Sequence, residues 1–131
     1  MFGYGCDMRA MVNYGDGVGR YVGLGTVVDG YVDTAGSIAT AELVSAFVAL
    51  RIPFGTGRRS NIMFGTVDND YDIDVAAVGL NDSASSFHVN MIKNILTKLD
   101  VGAEIMYGER EVIGGASGDF TRFQFSAKYA F

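Results

Sequence analysis

Histidine occurs once in this chain, at His88, and cysteine once, at Cys6. A lone histidine cannot build a histidine metal cluster, and a lone cysteine excludes an internal disulfide. Cys6 reads as a small apolar residue. Ser85, Ser86 and His88 are hydrolase parts, but a catalytic triad is a spatial arrangement and not a run of neighbours. Gly15, Gly17 and Gly19 suggest a phosphate loop, yet the GxGxxG spacing fails at Val22 and no GK[ST] follows. Asp68, Asp70, Asp72 and Asp74 alternate as in a calcium loop, but neither register supplies both the central glycine and the final glutamate of an EF-hand. The expectation is a chain without catalytic residues, metal or cofactor, and not an enzyme.

The basic residues carry more. Arg9, Arg51, Arg59, Arg122 and Lys128 all fall opposite the apolar side of period-two segments. On a lipid-facing wall each would cost about 2–4 kcal/mol at the membrane midplane. They are therefore expected to line an aqueous lumen, where rings of Arg or Lys select anions and Arg can grip a carboxylate bidentately. The other reading of the same residues is that they pair with Asp7, Asp100 and Glu104 and merely satisfy the wall. The net charge of −5 argues against nucleic acid, whose binders show a basic face.

The elements that must position these residues follow from composition and period. The 131 residues include 18 glycines, 9 Phe, 7 Tyr and a single proline, Pro53, the makeup of an all-β chain rich in turns. No stretch approaches the roughly 18 apolar residues of a membrane helix. Residues 2–14 alternate, with Phe2, Tyr4, Cys6, Met8, Ala10, Val12 and Tyr14 on one side. Residues 121–131 alternate again, with Phe123, Phe125, Tyr129 and Phe131 together. These runs are about 11 residues long, nearer the 9–11 of a transmembrane strand than the 5–6 of a soluble one. Further strands are expected over 43–54 (where Leu43 and Phe47 blur the alternation), 59–67, 85–92 and 99–110. The connections 15–42, 68–84 and 111–118 are then long, and 55–58 and 93–98 short. Membrane barrels have short periplasmic turns and longer extracellular loops. Residues 86–99 also fit an amphipathic helix, through Phe87, Met91, Ile92, Ile95, Leu96 and Leu99. The alternation of long and short connections overrides that pattern in favour of two strands.

The stretch from Leu99 to Glu111, with Tyr107-Gly108-Glu109-Arg110 at its end, resembles a penultimate strand of the DcaP-like outer-membrane porins. The end of the chain, from Gly118-Asp119 through Arg122 to Phe131, is similar to their last strand. Gly15-Asp16-Gly17-Val18-Gly19-Arg20-Tyr21, followed by Asp29-Gly30-Tyr31, also looks like that family. The final aromatic with apolar residues at alternate positions belongs to outer-membrane barrels in general, where it serves as the assembly signal. Here that signal is Phe123, Phe125, Tyr129 and Phe131.

The resemblance implies a homotrimeric porin of about 16 strands, inserted by the barrel-assembly machinery and surrounded by outer-membrane lipid and lipopolysaccharide. Its channel would pass small anionic, dicarboxylate-like solutes by passive diffusion. This chain holds about six strands and opens within an alternating segment, with no basic and apolar leader before it. It is read as one domain over residues 1–131, the C-terminal part of a larger antiparallel transmembrane β-barrel in a Gram-negative outer membrane. The alternative function is a non-transporting barrel or adhesin-like surface protein acting through its loops. A soluble β-rich domain is the third reading.

Overall fold

The computed structural model describes residues 5–22, 27–71 and 79–131. Six long strands form one antiparallel sheet: β1 (Asp7–Asp16), β4 (Glu42–Pro53), β5 (Arg58–Asp70), β6 (Asn81–Leu96), β7 (Leu99–Val112) and β8 (Ser117–Tyr129), in that spatial order. A four-residue helix α1 (Gly19–Val22) and a separate hairpin of β2 (Gly30–Val32) and β3 (Ile38–Thr40) lie between β1 and β4. Every neighbour in the large sheet is thus the next long strand in sequence, a meander built of local pairings.

The register fixes which side chains share a face, because residues directly opposite in an antiparallel pair point the same way. Met8, Leu50, Ile62, Val89, Ile105 and Phe123 face one another across all six strands. One residue along, on the other side, Asp7, Arg51, Asn61, Asn90, Glu104 and Gln124 do the same. One row is wholly apolar and the adjacent row wholly polar. The period-two reading of the sequence holds in three dimensions.

Nothing among the described residues covers the apolar side. Met8 and Phe123 are each 70% exposed and Phe125 83%. The buried hydrophobics lie elsewhere, at the end of the sheet that carries the longest connection: Val27, Tyr31, Ala41, Leu43 and Tyr71. Tyr31 and Tyr71 meet edge to face at 5.4 Å, and Val28, Ala39, Leu80 and Ile113 pack around them with Ala41. The Tyr71 hydroxyl donates to the Asn81 carbonyl at 2.8 Å. Burial, with Asp82 and Tyr31 beside it, pushes the Tyr71 phenol up from its ordinary value.

Several expected boundaries move. Phe2 and Tyr4, like Asp72 and Asp74, lie outside the described residues. Asp68 and Asp70 belong to strand β5 rather than to a loop. The segment 86–99 forms two strands and not a helix, as the alternating connections required, but the expected 93–98 connection shrinks to the turn at 97–98, because β6 runs from Asn81 to Leu96. Its ladder to β7 continues through Ser83, Ala84 and Ser85, polar or small residues that give no apolar signal. The β7–β8 connection is only residues 113–116, as short as the β4–β5 turn at 54–57, so the strict alternation of long and short fails there. Gly114 and Gly115 at φ 103 and 80 supply the left-handed backbone that so tight a reversal needs.

Candidate functional site

The polar face is built by the odd-numbered residues of β1, β4 and β5 and the even-numbered residues of β6, β7 and β8, and the strands bring all five expected cations to it. Arg9 faces Ala49, Arg51 faces Asp7 and Asn61, Arg59 faces Pro53 and Ile92, Arg122 faces Met106, and Lys128 faces Asp100. Among residues whose strand partners fix their side, this face carries Arg9, Arg51, Arg59, Arg110, Arg122 and Lys128 against Asp7, Asp100 and Glu104. The opposite face carries Asp16, Glu42, Asp68, Asp70, Glu109, Glu111 and Asp119 against Arg58 and Lys93. The negative net charge of the chain therefore conceals a cationic surplus on one side of the sheet.

Three of the five cations form ion pairs with carboxylates. Arg9 meets Asp7 at 3.2 Å, Arg59 meets Asp100 at 3.5 Å and Arg122 approaches Glu104 at 3.8 Å. These are the acids that the sequence offered as wall-satisfying partners. All three arginine side chains keep substantial solvent exposure, so each pair is worth at most about 1 kcal/mol. Arg51 has no ion pair among the described residues, and Asp7, opposite it, is engaged by Arg9. Arg110, missed in the sequence reading, is a sixth cation on this side. The phase of residues 99–110 would have found it, since it alternates with Asp100 and Glu104.

Neutral polar groups tie the ladder together. Asn61 donates to the Asn90 side-chain oxygen at 2.6 Å, and Asn90 donates to Glu104 at 3.2 Å. His88 sits between Glu104 at 3.5 Å and Ser86 at 3.2 Å. Ser85 leaves the sheet on the opposite side from Ser86 and His88, so the three hydrolase-like residues do not converge. Gly15 ends up in strand β1, whereas Gly17 and Gly19 flank the start of α1.

The apolar face has sloping borders. Toward the long connection its first acidic residue is Asp16 on β1 and Glu42 on β4, which face each other. On β5 it is Asp68, two residues lower in the register, and on β7 and β8 it is Glu109 and Asp119, two lower again. At the short-turn end the facing pair Arg58 and Lys93 bounds the band on β5 and β6, while on β7 and β8 it runs on to Leu99 and Tyr129. Both borders descend in the same sense. Four residues of descent over five strand spacings correspond to an inclination of about 30°. Two tyrosines at the upper border donate to the carboxylates just above them, Tyr14 to Glu42 and Tyr107 to Glu109. At the lower border Tyr129 and Phe131 meet edge to face at 5.5 Å.

Comparison with known protein families, with curated proteins and with solved structures finds no match for this chain.

Proposed function

We propose that this sheet is a wall segment of an outer-membrane β-barrel porin of the DcaP-like kind, with its cationic face toward a water-filled channel for small anionic solutes. The observation that carries the reading is the pair of adjacent rows, one apolar and one polar across all six strands. An apolar patch this large on a protein surface calls for an occupant. The sloping borders favour a bilayer: strands of membrane barrels tilt by about 35–45°, so a level lipid slab intersects them along an oblique band. Tyrosines at the border suit the interfacial aromatic girdle of such barrels. Six strands are too few to close a single-chain barrel, which takes at least about 8, so the open edges at β1 and β8 await further strands.

The test is ion selectivity. The barrel that contains this chain is reconstituted in a planar bilayer, and the reversal potential is measured across a salt gradient. Arg9→Ala with Arg51→Ala should lower the anion-to-cation permeability ratio, most at low salt, where screening is weakest. An unchanged reversal potential would assign these arginines to the wall alone. A second reading has its own support. The hairpin, α1 and the small core around Tyr31 and Tyr71 give the long connection a fold of its own, as a surface protein acting through its loops would need. Insertion without conductance would favour that reading.

A further inference from the structure

The polar face is interrupted at one level. Met11, Phe47, Gly65, Ser86, Gly108 and Phe120 face one another from β1 to β8. The three central strands contribute only small residues, and bulky apolar ones stand at both sides. The open floor is Gly65 and Ser86, on adjacent strands about 5 Å apart. Gly108 shapes one wall: a Cβ there would lie 2.7 Å from the Phe120 ring, so the missing side chain lets that ring lie across β7. Tyr21 and Val22 of α1 overhang the trough and, with Met11, Phe47, Gly65, Ser86 and Phe120, line a cavity of about 380 Å³. That volume is within the roughly 300–1,000 Å³ of small-molecule sites. Arg110 also lines it, on the same face as Gly108, and has no ion pair among the described residues.

We infer that this trough binds small organic monoanions with an apolar body, an aryl or alkyl carboxylate, the body over Gly65 and Ser86 against the Phe120 ring and the carboxylate toward Arg110. The inference rests on the reading that this face is wet, and it names the solute class that such a channel would favour. Glu109 also borders the cavity, but its side chain leaves β7 on the opposite face and accepts from Tyr107, so Arg110 sets the charge and charge complementarity decides the occupant. A purely apolar ligand would leave Arg110 unused, and a compact anion would leave the Phe47 and Phe120 walls unfilled. Tyr21 overhangs the trough without filling it, being 85% exposed.

The experiment uses the barrel that contains this chain, in detergent micelles, with benzoate and acetate as probes, followed by calorimetry and saturation-transfer NMR. Benzoate should bind at least about tenfold tighter than acetate, the return on burying a ring. Arg110→Gln, a change at an exposed position, should weaken benzoate by about tenfold or more through loss of a charge-assisted hydrogen bond. Gly65→Leu should abolish binding with the sheet intact, because a Cβ at Gly65 meets only ordinary contacts at 3.8 Å and the rest of the side chain fills the trough. Benzoate binding no tighter than acetate, or equally well to the Gly65→Leu chain, overturns the site. Benzoate binding in a barrel that conducts no ions would keep the site and remove the porin reading. An anion-selective pore without benzoate preference would do the reverse.

Discussion

Ile62→Arg and Met63→Arg alter neighbouring residues of β5 that leave the sheet on opposite sides. On the apolar side of β5 no charge intervenes between Arg58 and Asp68. Those ten residue steps span about 34 Å along the strand, or about 29 Å across a layer that the strand crosses at about 30°. Ile62 stands four steps from one border and six from the other, within about 3 Å of the middle. An arginine there would meet the full midplane penalty of about 2–4 kcal/mol; about 3 kcal/mol lowers the folded-to-unfolded ratio roughly a hundredfold. Met63 faces Ala49 and His88 on the polar side, and an arginine in its place stays in water at a cost of about 0.5 kcal/mol or less. The assay is reversible denaturant unfolding of the barrel in phospholipid vesicles, each variant against the parent. Equal costs for the two variants would refute the assignment of faces. A harmless Ile62→Arg would place that side in water and remove the lipid from the account.

Deleting Phe131, the last of the alternating aromatics, should sharply reduce the amount of parent barrel in the outer-membrane fraction on immunoblots; unaltered insertion would count against the assembly signal. Expressed alone, the chain should aggregate in water or require detergent, because β1 and β8 leave unpaired N–H and C=O groups at both sheet edges; a monodisperse, water-soluble species in ultracentrifugation would contradict this. Tyr71→Ala removes the ring against Tyr31 and the hydrogen bond to Asn81. It should loosen the long connection by about 3 kcal/mol, read as faster tryptic cleavage after Arg20, and no change in that rate would mean the hairpin holds without this core.

Much of the sheet was legible because alternation is a local property. Met8, Val12, Phe123 and Phe125 announce their side of a strand without knowledge of any neighbour. The same phase brought Arg9, Arg51, Arg59, Arg122 and Lys128 to one face. What escaped depends on partners far away in sequence. The contact between Arg59 and Asp100 joins residues 41 positions apart and requires the registers of two intervening pairings. The β2–β3 hairpin has strands of three residues each, too short to establish a period, so residues 15–42 read as one featureless loop. Leu43 and Phe47, which blurred the alternation of β4, are informative in retrospect. Leu43 is buried near the foot of the long connection, and Phe47 forms a wall of the trough. Residues that break the pattern marked the places where the polar face meets the long connection and the trough.

The most direct test of the two-faced sheet is a nitroxide scan of residues 101–107 on β7, one label at a time in a Cys6→Ser background, with the barrel in lipid bilayers. Collision rates with oxygen, which concentrates in lipid, and with a water-soluble nickel chelate are measured at each position. The expected result is a period of two in opposite phase: oxygen contact at Val101, Ala103, Ile105 and Tyr107, and nickel contact at Gly102, Glu104 and Met106. Nickel contact on both sides, or no alternation at all, would contradict it.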